Sequence, residues 1–227
     1  MKTEFLTNNR CYKNHKIIAP LGIMVHSTGC NQKRVEAYTK SWNNPKTTVC
    51  VHAFIGLLPD GSVGTVQTLP WNYKANHCGV GTSGKSGNNY LISFEICEDN
   101  LTDPVYFDAV YSEAVKLCAK LCKEYGFDPL TDIFCHSEGY RLGVASNHAD
   151  VMHWFPKFGK TMDIFREDVK KAMEKKPAGA WSEEARKWAT ENGLITGYGN
   201  GDDGWTDNLT REQMAVILKR FYDLMKG

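Results

Sequence analysis

Two short apolar runs end in histidine, Leu21 to His26 and Asp132 to His136. A run of roughly four to eight apolar residues that turns polar at its end reads as a buried strand. A histidine at that turning point sits at a sheet edge with a ring nitrogen available. Between these runs the pattern alternates. Lys33 to Trp42 reads as a short polar helix, Thr48 to Leu58 as a strand closed by the turn Pro59-Asp60-Gly61, and Ser62 to Thr68 as its hairpin partner. Tyr90 to Cys97 is a further strand. Pro104 to Tyr125 places Phe107, Val110, Ala114, Leu117, Cys118, Leu121 and Cys122 at three- and four-residue steps, with Asp103 to cap the helix and Gly126 to end it. A last helix lies near Met162 to Lys175. Strands alternating with helices predict an α/β fold.

The long stretch Asn72 to Asn89 has no period and is rich in Gly, Asn, Ser and Lys, so it reads as a functional loop. His136 leads into a second irregular stretch containing Asn147-His148-Ala149-Asp150. A hydrolytic zinc site takes about three protein ligands from His and Asp, Glu or Cys and keeps one position open. His26, His136 and Asp150 fit that count.

With 227 residues and 42% hydrophobic content the chain suits one domain of ordinary size plus a smaller appendage. A net charge of +1 gives no basic face for nucleic acid. No apolar stretch has the roughly 18 residues of a membrane span, and the first ten residues lack the apolar core of a secretion signal. The expectation is therefore synthesis in the cytoplasm without a signal peptide and no membrane partner. The eight cysteines lie in apolar strand or helix contexts and read as buried free thiols.

Several motifs occur in an order that resembles one family across roughly residues 10 to 160. They are Met24-Val25-His26-Ser27-Thr28, Val51-His52-Ala53-Phe54-Ile55 with Asp60-Gly61, Ile92-Ser93-Phe94-Glu95, and the His136 to Asp150 segment. They resemble the zinc-dependent N-acetylmuramoyl-L-alanine amidases of the type 2 amidase family, which includes phage lysozyme-type amidases and peptidoglycan recognition proteins. The resemblance implies a mixed central sheet flanked by helices. It also implies a zinc ion on His26, His136 and Asp150, with Glu95 assisting the attacking water as general base. Strand alternation independently sets Glu95 and Cys97 on the face opposite Phe94 and Ile96. Glu98 and Asp99 are rival acids whose turn-like surroundings suggest solvated side chains.

The chain departs from the family pattern in two places. The tyrosine that other members carry just before the second-strand histidine is Val51 here, which concentrates proton transfer on Glu95. His148 stands where a lysine often steadies the oxyanion. It can donate that hydrogen bond, or it can be the third ligand in place of Asp150. His52 and His77 match positions lining the substrate groove, and His153 reads as a packing or ligand-supporting residue.

After Glu174-Lys175-Lys176-Pro177-Ala178-Gly179 the composition changes, giving a catalytic domain at residues 1–170, a linker at 171–180 and a small all-α domain at 181–227. Trp181 to Glu191 reads as a helix, Leu194 to Gly201 as a glycine-rich loop, and Thr210-Arg211-Glu212-Gln213 as a capping box opening a second helix. Trp188-Ala189, Asn192-Gly193-Leu194-Ile195, Gly197-Tyr198-Gly199 and Leu209-Thr210-Arg211 resemble one S-layer homology repeat. That resemblance implies binding of a secondary cell-wall polymer, with Arg211 as the anion contact and Trp205 a weaker candidate. Plain helix capping accounts for Arg211 equally well. One such repeat of about 50 residues buries little apolar surface, so it calls for docking or for homo-oligomers through this repeat.

The function expected is peptidoglycan hydrolysis between N-acetylmuramic acid and L-alanine, as in a phage endolysin. The alternatives are a recognition module that binds peptidoglycan without cutting it, or a host autolysin with the same chemistry.

Overall fold

Alternation along the apolar runs decides which face of the sheet each residue meets. In β2 (Gly22–Asn31) Ile23 and Val25 join the core under one face, while Met24 packs in a separate cluster on the other. In β5 (Leu91–Glu98) Ile92, Phe94 and Ile96 join the first core and Cys97 the opposite face, as the alternation at Glu95 requires. This is a computed structural model that describes residues 1–174, 178–197, 204–206 and 209–226. Its chain divides into two compact units, Met1–Met173 and Glu174–Gly227.

In the first unit β1 (Lys2–Thr3), β3 (Ala53–Leu57), β4 (Val63–Gln67) and β6 (Ile133–Cys135) complete a six-stranded sheet in the order β1-β4-β3-β5-β2-β6. The β3–β4 hairpin is antiparallel and every other pairing is parallel. α1 (Arg10–Asn14) lies near the N-terminus, and α2 (Val35–Trp42) covers one face through Val35 and Tyr38. The other face is covered by α3 (Pro104–Tyr125), with Phe165 and Val169 of α5 (Met162–Glu174).

α3 forms as the spacing predicts. Asp103 accepts the N–H groups of Val105 and Tyr106, each at 3.1 Å, and Gly126 closes the helix at φ 73°. All seven periodic residues are buried. The expected strand Thr48 to Leu58 is shorter, beginning only at Ala53. The segment after β6 is not wholly irregular either, because His136 opens α4 (His136–Arg141). Glu138 Oε2 accepts the Cys135 N–H at 3.1 Å and pairs with Arg166 of α5, satisfying that helix start.

The second unit contains α6 (Glu183–Glu191), preceded by a 3-10 turn at Ala180–Ser182, and α7 (Arg211–Lys226). The capping box at its start is reciprocal: Gln213 N–H donates to Thr210 Oγ1 at 3.1 Å, and Thr210 N–H to Gln213 Oε1 at 2.9 Å. Arg220 reaches the Leu194 carbonyl at 3.2 Å. Tyr198 to Gly201 of the glycine-rich loop and Lys175 to Pro177 of the linker lie outside the described residues. The boundary read at residue 170 falls inside α5. Among the described residues no helix is long and apolar enough to cross a membrane.

His52 corrects an expectation. It does not line the groove but is fully buried, its Nε2–H donating to the Tyr73 carbonyl at 2.8 Å and its Nδ1 accepting the Ser93 N–H at 3.0 Å. Both ring nitrogens are thus used, tying the residue before β3 to β5 through Ser93 and to the following loop through Tyr73. Burial, outweighing these hydrogen bonds, pushes the imidazole down to about 4. An unfolded histidine titrates near 6.5, so below that pH the unfolded chain binds the proton first. His52 therefore leaves stability unchanged above about pH 6.5 and removes it progressively as pH falls towards 4. Denaturant midpoints measured across that window should drop in the parent. In His52→Gln, which keeps a donor and an acceptor, they should start lower and fall less steeply.

Candidate active site

In an open α/β sheet, ligands collect outside the carboxyl ends of parallel strands. Here β5, β2 and β6 are adjacent and parallel, with His26 directly opposite Glu95 and Val25 opposite Cys135. The register therefore carries His26, Glu95 and His136 to one end of the sheet. Asp150 arrives from the segment between α4 and α5. His26 Nδ1 lies 2.8 Å from Asp150 Oδ2 and 3.2 Å from His136 Nδ1, and His136 Nδ1 lies 3.5 Å from Asp150 Oδ1. One potential ligand atom from each residue falls within 4.8 Å of the other two. Both histidines are buried, at 1% and 4% exposure, which rules out plain surface residues.

The far sides of the two rings explain their orientation. Ser146 Oγ donates to the Cys78 carbonyl at 3.1 Å and can accept an N–H from His136 Nε2 at 3.3 Å, the tautomer that would leave His136 Nδ1 to a metal. His26 Nε2 meets His77 Nδ1 at 2.8 Å. The two Nδ1 atoms thus point at each other and at a carboxylate. Burial opposes the charge on Asp150, yet hydrogen bonds with His136 and then His26 hold its carboxyl well below the usual range. Burial drives His26 and His77 downwards and keeps both rings neutral at pH 7.

Glu95 faces the same cleft. Its Oε2 is buried without a hydrogen-bond partner. Burial first, then the charges of Asp150 and Glu98, raise its carboxyl well above the ordinary value. A carboxyl so placed, buried and beside other charges, is a candidate for proton transfer. His148 is exposed on the rim, its ring 4.7 Å from that of His136.

The cleft has a volume of about 870 Å³, and Trp42, Thr48, Val49 and Asn76 also line it. The aperiodic loop read at Asn72 to Asn89 supplies His77, whose backbone N–H, like that of Cys78, donates to Asn88 Oδ1. That loop meets the segment after α4 at Gly81. A Cβ there would stand 2.0 Å from the Gly143 carbonyl, so the approach requires glycine.

The structure thus gathers His26, His136, Asp150, Glu95, His77 and His148 around one cleft, and excludes His52. Arg211 belongs to the second unit, exposed in the first turn of α7. Three contributors escaped the sequence reading: Ser146, Glu98 and Asn88. Glu98, read as a solvated acid, is 2% exposed. His153 pairs with it at 2.9 Å, and that hydrogen bond, against partial burial, raises the imidazole.

The sequence profile of the N-acetylmuramoyl-L-alanine amidases matches residues 17–153, a span that contains this whole constellation. Among curated proteins nothing matches the chain. Solved structures share its architecture. The Staphylococcus aureus hydrolase AmiA in complex with its ligand superposes with a TM-score of 0.59 at 20% identity, over 76% of this chain and 82% of that one. The catalytic domain of XlyA gives 0.56 at 24% identity, over 74% and 97%. A mutant endolysin from Bacillus subtilis gives 0.55 at 22% identity, again over 74% and 97%. At such identities the likeness shows the mixed α/β fold with its central sheet flanked by helices. Together with the profile match over more than half its length, it makes this chain a member of the N-acetylmuramoyl-L-alanine amidase family.

Proposed function

We propose that this chain is an endolysin-type amidase whose His26, His136 and Asp150 hold zinc, and that it hydrolyses the amide joining the lactyl group of N-acetylmuramic acid to L-alanine. The observation that carries this reading is the convergence of three ligating groups beside an unpartnered carboxyl in one cleft. The donor set fits the metal. Zinc–ligand bonds of about 2.0–2.1 Å in a tetrahedron put neighbouring donors about 3.3 Å apart; the two imidazole Nδ1 atoms are 3.2 Å apart, and the Asp150 carboxylate lies 2.8 Å from one through Oδ2 and 3.5 Å from the other through Oδ1. The chemistry supplied by zinc at this site is Lewis acidity towards a water and the scissile carbonyl.

The remaining work falls to the protein. Glu95 accepts the proton from the attacking water and returns it to the amine as the carbon–nitrogen bond breaks. His148, on the cleft rim, donates to the developing oxyanion. With zinc bound, Ser146 and His77 would take the Nε2–H of the two ligand rings and leave each Nδ1 to the metal. Val51 is fully buried against α2, so the family's tyrosine has no counterpart in the cleft. The presence of all three ligands favours an enzyme over a recognition module.

The expected signature is release of stem peptides with free N-terminal L-alanine from purified walls, lost with chelator and restored by zinc. Glu95→Ala should retain zinc while turnover falls by about two to four orders of magnitude. His136→Ala should lose metal and activity together. Metal content measured beside turnover separates the two, and an active Glu95→Ala enzyme rules out the general base assigned here.

His148→Ala should lower kcat by about two to three orders of magnitude with zinc content unchanged. A fall in zinc content would make His148 a ligand instead.

For the second unit we infer an S-layer homology repeat that binds a secondary wall polymer. The reciprocal cap at Thr210 and Gln213, the exposed Arg211 beside it and the exposed Trp181 support this. Arg211→Ala should weaken sedimentation of the full chain with intact walls, but not with walls stripped of the polymer, and should leave cleavage of soluble muropeptides unchanged.

A further inference from the structure

Asp150 is the one member of the ligand group not carried by the sheet or by the helix start next to it. What holds it is therefore a separate question. Val151, Trp154 and Phe155 anchor the segment from below, each fully buried in the core beneath α3. Beyond the contacts of its carboxylate with His26 and His136, the segment that carries Asp150 is held from the side. His153 lies there. Three residues on from Asp150 in the same turn, its Nε2 is 2.9 Å from Glu98 Oε1.

Glu98 is no incidental surface acid. The same Oε1 accepts the Gly29 N–H at 3.0 Å, and the Glu98 backbone N–H donates to Thr28 Oγ1 at 3.2 Å. These contacts fall where the β2–β5 ladder loses register, between Ser27 and Asn31. One carboxylate thus joins the end of β2, the end of β5 and the Asp150 segment. Glu98 is 2% exposed, and a carboxylate so buried is retained only with donors on it. Both residues line the cleft.

We propose that Glu98 and His153 form a clamp that orients Asp150 and so sets the zinc affinity of the site, acting as positioning residues and not as catalytic ones. This rests on the reading that His26, His136 and Asp150 hold zinc. Partners that orient metal ligands typically change affinity by about 10- to 100-fold when removed. Because the apolar anchors remain in place, the loss should appear in metal binding and not in folding.

The test is a competition titration of zinc against a chromophoric chelator. It uses the zinc-free full chain as parent, His153→Ala, Glu98→Ala, the double variant and His153→Gln, with thermal midpoints of the zinc-free forms measured alongside. His153→Ala and Glu98→Ala should each bind zinc about 10- to 100-fold more weakly. The double variant should be no weaker than the weaker single, since one clamp is broken once. His153→Gln keeps an N–H for Glu98 and should recover most of the affinity. Single variants that bind zinc as tightly as the parent overturn the clamp, as does a double variant whose loss is the product of the two singles. So does a loss of affinity that only tracks a lowered midpoint. A parent that binds no zinc overturns the metal reading itself, and the clamp with it.

Discussion

The parallel ladder between β2 and β5 is the constraint on which the site depends. Its register sets His26 opposite Glu95, and the neighbouring pairing with β6 brings Cys135, and so His136, to the same end. A slip of one residue would turn His26 into the core and Val25 out of it. The apolar partners on the other face, Ile23, Val25, Phe94 and Ile96 against α3, make such a slip costly. The core thus specifies the site by fixing which alternate residues are left for it.

That arrangement concentrates polar groups where they are expensive. Two imidazoles, a carboxylate and a carboxyl with an unpaired oxygen share one buried pocket, and their protonation preferences diverge: Asp150 is held ionised while Glu95 is pushed towards its protonated form. Two acids driven apart in this way can take different roles, one as ligand and one as proton carrier. Around them lie supports with no chemistry of their own. Ser146 fixes the His136 ring, Asn88 holds the turn that carries His77, and Glu98 with His153 borders the Asp150 segment. In an interior this polar, a ligand is only as well placed as its hydrogen-bonding partners make it.

Much of this was legible in local patterns. The seven periodic residues of α3, the Asp103 cap, the Gly126 stop and the Thr210 box formed as read because each depends on residues within about one turn of one another. His136 likewise follows β6 where its apolar run stops, whereas β2 runs on past His26 to Asn31. The same logic failed where burial depends on distant partners. His52 has the local look of a strand-start residue, yet Tyr73 and Ser93 claim both its nitrogens. Glu98 looks like a solvated acid beside Asp99, and only Gly29 and His153 make it a buried one.

The sequence by itself determined the α/β class, the main helix and its ends, the change of character after the Glu174 to Gly179 stretch, and the residues whose chemistry allows them to ligate or to carry a proton. These follow from periodicity, capping and side-chain chemistry, which act over a few residues. Only the tertiary structure decided that His26 and Asp150, separated by 124 positions, stand 2.8 Å apart, which group each ring nitrogen faces, and which polar residues serve the core instead of the cleft. Those outcomes depend on strand order and register, and register is set by the packing of the whole sheet against its helices.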